Sequence, residues 1–271
     1  MSNINRWLVS NSNNLSYQLF LTVVASFVGK ALGFVRLQQI AYNMGTSEIS
    51  DALIIVLQLV WFIEITLVSG AVAPMLIAKI YQLDITGGEK LSLNFFSHNL
   101  IICLIISILF SFLIIIFANP IVDVLFQTSS NENKLTYVSM LYIGAAFPLI
   151  LSISHFSAML NRLLNNGVWY SIPQIIINLI AIIALNVGLA VGNESTGAIF
   201  MISGLSIGGI IVCFIQFFVA PKSARDKLVQ NLFKRNFQNI KFNGVPRYWG
   251  AVFTLLVIAF MNEIFVYIDF Y

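Results

Sequence analysis

Charged residues are scarce in this 271-residue chain, where Asp, Glu, Lys and Arg together make up 9% of the sequence. Soluble domains contain about 25% of these residues and roughly 45–50% apolar ones. Here the hydrophobic share is 59%. Because so few polar groups cannot cover the surface of a folded domain, the composition excludes an ordinary soluble protein and favours one that folds in a lipid bilayer.

Residues that hold metals or perform catalysis are also few. Cys103 and Cys213 lie inside apolar runs and His98 and His155 stand alone, so no metal-ligand or disulfide spacing is present. Membrane glycosyltransferases and glycan polymerases would need acidic motifs on a large polar loop, and the chain has neither such a loop nor an Asp-x-Asp motif. We therefore expect a protein that is not an enzyme, with no cofactor and no nucleic-acid partner.

Long apolar runs make up most of the sequence. Runs of about 18 residues or more are long enough to cross a bilayer. Windows of about 19 residues predict seven spanning helices, near 17–42, 52–81, 96–118, 136–161, 171–192, 196–220 and 249–271. Polar joints with glycine, proline or asparagine separate them. The predicted fold class is an all-α polytopic membrane protein.

The positions of Lys and Arg predict orientation, because positive charges near span ends stay on the cytoplasmic side. A cytoplasmic amino terminus leaves Lys134 as the one basic residue in an outer loop, and most others fall inside. Residues 221–247 form the longest non-spanning stretch and carry basic residues among apolar ones at helical spacing. We interpret them as a cytoplasmic amphipathic linker on the inner leaflet, touching membrane lipids.

Three charged residues deep inside the first two predicted spans need an explanation: Lys30, Arg36 and Glu64. A charge at mid-bilayer costs roughly 2.5–3.5 kcal/mol even on lenient insertion scales, so such a group normally faces a partner or a watery cavity. Lys30 and Glu64 lie at matching depths in consecutive antiparallel helices and are candidates for an ion pair. The alternatives are a cationic cavity for a lipid phosphate and an ion-pair network that only joins the two helices.

Neighbouring residues extend this candidate site. Arg36 is six residues beyond Lys30, about 120° further round an ideal helix, and a bend at Gly33 would bring both cations towards one cavity. Gln58 lies at a depth where it can meet Arg36, and Asp51 adds a carboxylate at the outer mouth. Arginine suits bidentate phosphate contacts and lysine suits point-charge contacts.

Small residues followed by a proline, from Gly70 to Pro74, predict a bend late in the second span, although close helix packing explains them equally well. In the last span, Asn262, Glu263 and Asp269 are candidates for a coupling-cation site, while Asp269 also suits the outer interface.

Several of these segments resemble the MurJ/MviN family of lipid II flippases, part of a larger exporter superfamily. The resemblance rests on GKALGFVR at 29–36, Asp51-Ala52, Gly70-Ala71 with Pro74, Asn161-Arg162, Ser171-Ile172-Pro173 and Asn178-Leu179. It implies a two-lobed α-helical transporter that moves a polyprenyl-pyrophosphate-linked glycan, lipid II or a surface-polysaccharide unit, across the bacterial inner membrane by alternating access. It also implies that Lys30, Arg36 and Asp51 lie in the substrate cavity.

The chain departs from the family pattern at two of these positions. Lys30 replaces the more usual arginine, and Glu64 stands where the family carries an arginine, which favours a glycan other than lipid II. The 70–74 segment is also shorter.

Family members have about twice this many helices. We therefore expect residues 1–220 to form the amino-terminal six-helix lobe, 221–247 the linker and 248–271 an incomplete start of the second lobe. A coupling cation or the membrane potential is expected to drive the flippase. The competing predictions are a cation-coupled multidrug exporter of the same superfamily and an inactive truncated remnant.

Overall fold

A computed structural model describes residues 12–63, 66, 68, 71–163, 168–222, 226, 230, 248 and 250–257. Eight helices occupy most of these residues, and no strand occurs among them. Their bounds are α1 Ser12–Met44, α2 Glu48–Ile63, α3 Ala73–Gly87, α4 Glu89–Leu125, α5 Asn131–Gly144, α6 Phe147–Leu163, α7 Val168–Val191 and α8 Glu194–Val219. The predicted all-α fold class is confirmed.

Five stretches of the described residues are long and apolar enough to cross a membrane. They are Phe20–Met44, Leu91–Leu125, Asn131–Leu163, Ser171–Val191 and Glu194–Val219. These stretches correspond to five of the seven predicted spans, so the chain is a multi-pass membrane protein. The seventh predicted span begins among described helical residues at 248 and 250–257, and the rest of it lies outside the described residues.

The second predicted span differs from the expected single helix. Residues 71 and 72 have π-helical backbone directly before α3, and Pro74 is among the first residues of α3. Proline lacks a backbone N–H and its ring clashes with the carbonyl four residues earlier, so a regular α-helical turn is unfavourable there. A π-turn is wider by one residue and relieves that clash. The proline therefore favours the π-helical backbone at residues 71 and 72.

The predicted span 136–161 is also divided, into α5 and α6, with a turn at Ala145 and residue 146. Pro148 lies in the first turn of α6, where the missing N–H removes no helical hydrogen bond. The proline permits a new helix to start inside an unbroken apolar run.

Helix packing does not follow chain order. α7 packs against both α1 and α8, while α2 packs mainly against α5. α1 and α2 are joined by a three-residue connection yet touch each other only sparingly. Buried apolar side chains form two clusters. The first is formed mainly by α1, α2, α5, α7 and α8, with residues from the ends of α4 and α6, and the second is centred on α3, α4 and α6. Tyr248 packs edge-on against Phe95 of α4 at 4.9 Å, which attaches residue 248 to the second cluster.

Candidate functional site

The interface between α1 and α7 is unusually polar for a pair of membrane helices. Ser26 and Ser171 share a hydrogen bond of 2.7 Å, and the Asn178 amide donates to the Gly29 carbonyl at 3.1 Å. Further along α1, Arg36 donates to Asn178 at 2.9 Å. We call these five residues the α1–α7 seam. Polar side chains hold helices together in lipid because no water competes for them.

Glycine spacing explains why the two helices approach so closely. Gly29 and Gly33 are four residues apart on α1 and so lie on one face, in the small-xxx-small pattern of close membrane-helix contacts. A Cβ at Gly29 would lie 3.1 Å from the Gln174 side chain. The two glycines therefore allow Asn178 to reach the α1 backbone.

Arg36 is buried within this seam, with 4% of its surface exposed. Its Nη1 donates to Asn178 Oδ1 at 2.9 Å, and its Cζ lies 4.6 Å from the centre of the Trp61 ring on α2. Among the described residues, Arg36 Nε has no acceptor and the guanidinium has no carboxylate partner. The side chain thus joins α1 to both α2 and α7, and among the described residues its Nε donor stays unused.

Lys30 lies on a different face of α1 and is exposed. Its neighbours at helical spacing are Phe27 and Phe34, which are 73% and 61% exposed. α1 is helical without a break through Gly33, so the 120° between the two cations expected of an ideal helix is kept. The structure places Arg36 inside the bundle and Lys30 on its surface. It does not bring them together.

The α2 residues of the predicted site share one face. Asp51 and Gln58 are both exposed and are seven residues apart, almost two full helical turns. Trp61 follows one turn after Gln58 and turns towards Arg36. Glu64 and Gly70 lie outside the described residues, so the predicted Lys30–Glu64 pair and the role of Gly70 stay predictions.

Sequence reasoning missed Trp61 and Asn178 as site residues. Asn178 was noted only as part of a family pattern, although an amide in an otherwise apolar run is itself a signal that a partner is needed. A second buried amide, Asn161 of α6, donates to the Gln216 carbonyl of α8 at 3.1 Å. Gln216 in turn accepts from Ser154 and donates to the Trp169 carbonyl. This second network fastens α6, α7 and α8 and lies apart from Lys30 and Arg36.

Across the part of the chain that the structure describes, no three Asp, Glu, His or Cys side chains come close enough to hold a metal ion. Asn262, Glu263 and Asp269, the candidate coupling-cation residues, lie outside that part.

The sequence was compared with those of known proteins. A curated protein of Buchnera aphidicola subsp. Baizongia pistaciae, described as a probable lipid II flippase MurJ, is 26% identical over 207 residues. This chain is similar to MurJ-type flippases. The match covers 75% of the chain and confirms the predicted resemblance. The match spans 40% of the relative's length. No family model and no solved structure matches.

Proposed function

We propose that this chain forms the amino-terminal lobe of a flippase that carries a polyprenyl-pyrophosphate-linked glycan across the bacterial inner membrane by alternating access. Its amino terminus lies in the cytoplasm in this proposal. Support comes from the similarity to the MurJ-type relative and from the concentration of Lys and Arg on one predicted side. The second lobe would be supplied by the part of such a protein that the similarity does not cover.

The observation that carries the proposal is the exposed Lys30 in the middle of a membrane-length apolar helix. An ammonium group facing lipid tails would be strongly unfavourable, so this face of α1 borders water or an anion. A pyrophosphate supplies the complementary charge. A cationic drug would be repelled at the same position, which disfavours the multidrug exporter.

The remaining residues of the proposed cavity supplement Lys30. Asp51 and Gln58 present hydrogen-bonding groups along one exposed face of α2 and suit the hydroxyl and amide groups of a glycan. Gly33 and Pro74 are proposed as the points at which α1 and the α2–α3 pair bend during transport, with Gly70 as a further candidate. Either a coupling cation or the membrane potential would drive the cycle.

Deletion of the gene in its native host tests the proposal. Mass spectrometry of extracted lipids is expected to show one polyprenyl-linked glycan accumulating, and wild-type protein is expected to clear it. Lys30→Gln should not clear it. Lys134→Gln is the matched control, because it removes a lysine whose partner is Asp123 at the protein surface. Accumulation of lipid II would identify lipid II as the substrate, and another glycan would identify a surface-polysaccharide pathway. No accumulating lipid would contradict the proposal.

A further inference from the structure

Among the described residues, Arg36 is buried with its Nε donor unsatisfied. A guanidinium carries five N–H donors and a permanent positive charge. Within the described residues its hydrogen-bond acceptor is the Asn178 amide oxygen, its other contact is the Trp61 ring face, and its Nε is buried without an acceptor. Burying a charge in this way is unfavourable unless an anion completes its surroundings in another state of the protein.

The Asn178 amide is itself fixed in orientation. Its Nδ2 donates to the Gly29 carbonyl at 3.1 Å, which leaves its Oδ1 directed at Arg36. A rotated amide would turn an N–H group towards the guanidinium and lose both bonds. Asn178 is 2% exposed, so solvent does not compete for these contacts. The seam therefore supplies Arg36 with one neutral acceptor that is well oriented but weaker than an anionic one.

The Trp61 ring makes the second described contact with the Arg36 guanidinium. The ring holds the cation by electrostatic attraction without accepting a hydrogen bond. A cation held by a ring face and a single neutral amide can exchange these contacts for phosphate oxygens, which bind guanidinium in a bidentate and stronger manner.

We propose that Asn178 and Trp61 are positioning residues that keep Arg36 inside the bundle until a lipid-linked pyrophosphate offers it stronger acceptors. Lys30, which is exposed, makes the first contact, and Arg36 follows by leaving Asn178. The inference rests on the proposed function and adds an order of events to it.

Two substitutions at Asn178 test this inference. Between the two variants, the affinity for the pyrophosphate lipid and the thermal stability of the protein should differ in opposite directions. Asn178→Asp gives Arg36 a carboxylate partner and should hold it more firmly. Asn178→Leu branches at the same side-chain atom as asparagine but removes the acceptor, so Arg36 loses its hydrogen bond to position 178. The measurements are the binding of undecaprenyl pyrophosphate to the purified full chain in lipid nanodiscs and the thermal unfolding midpoint of each variant.

For Asn178→Asp we expect affinity to fall roughly tenfold, the scale of one hydrogen bond to a charged group. Its unfolding midpoint should be higher than that of Asn178→Leu, because the new ion pair with Arg36 offsets the lost bond to the Gly29 carbonyl. For Asn178→Leu we expect a lower midpoint together with an unchanged or higher affinity. A purely structural role predicts the reverse, with affinity lost only where the fold is weakened.

The possible failures are distinguishable. If the wild-type chain does not bind the pyrophosphate lipid, the proposed function and this inference both fail. If the wild type binds but Asn178→Asp binds equally well, the positioning role is wrong while the flippase proposal stands. A fall in affinity that accompanies a fall in midpoint for Asn178→Leu also contradicts the positioning role.

Discussion

The guanidinium of Arg36 lies 4.6 Å from the centre of the Trp61 ring, so a residue of α1 is held against α2 even though these helices touch sparingly elsewhere. Cation–π contacts contribute about 0.5–1 kcal/mol at exposed sites and about 2 kcal/mol when desolvated. The contact is therefore a substantial part of what joins the carboxyl-terminal half of α1 to α2.

Substituting Trp61 tests that contact. Trp61→Leu should lower the free energy of unfolding by about 2 kcal/mol or more, because both ring packing and the cation–π contact are lost. Trp61→Phe keeps an aromatic face and should cost less. Urea unfolding of the purified protein in detergent gives both values. Equal losses for the two variants would show that the ring face does not hold Arg36.

Gly33→Ala tests whether Gly33 acts as a hinge of α1 or only allows close helix packing. A Cβ at this position would meet Asn178 Nδ2 at 3.5 Å, an ordinary van der Waals distance. Alanine should therefore fit and slightly stabilise the helix, by about 0.5–1 kcal/mol. If α1 bends at Gly33 during transport, glycan clearance in the deletion host should fall while thermal stability does not. Full clearance by the variant would remove Gly33 from the hinge prediction.

Gly188→Ala should damage the fold instead. A Cβ there would lie 2.8 Å from Gly197 Cα and 2.9 Å from the Thr196 carbonyl oxygen, and backbone atoms cannot move aside cheaply. We expect a loss of about 1–3 kcal/mol, as for other overpacked interiors, measured by thermal unfolding. Gly45→Asn is the matched control at an open site, since Gly45 has φ +59° and no atom within 4 Å of an added Cβ. Asparagine tolerates that conformation.

Hydropathy was sufficient to predict the helices, because a bilayer forces every backbone N–H and C=O into internal hydrogen bonds. It was not sufficient to predict the interruptions at Pro74 and before Pro148, since both lie inside apolar runs. In these cases local proline chemistry altered a helix that hydropathy reads as continuous.

The site could be predicted only in part. Helical geometry separated Lys30 from Arg36 by 120°, and the structure shows one exposed and one buried. Chain order suggested that α1 pairs with α2, whereas it packs along α7, more than a hundred residues away. Asn178 therefore could not be predicted as a partner of Arg36, because nothing in the sequence of α1 indicates which distant helix packs against it.

The most direct test of the account asks whether Lys30 borders water inside the membrane. In a chain with Cys103 and Cys213 replaced by alanine, Lys30→Cys is treated in intact membranes with a charged, water-soluble thiol reagent. Phe112→Cys on α4 is the control, since Phe112 is 60% exposed on a strongly apolar stretch without charged residues that should face lipid. Such reagents modify the thiolate, which forms only where water reaches.

The account predicts rapid labelling of the cysteine at position 30, slowed by undecaprenyl pyrophosphate, and little labelling at position 112. Equal protection of both positions would place Lys30 among lipid tails and contradict a substrate cavity on this face of α1.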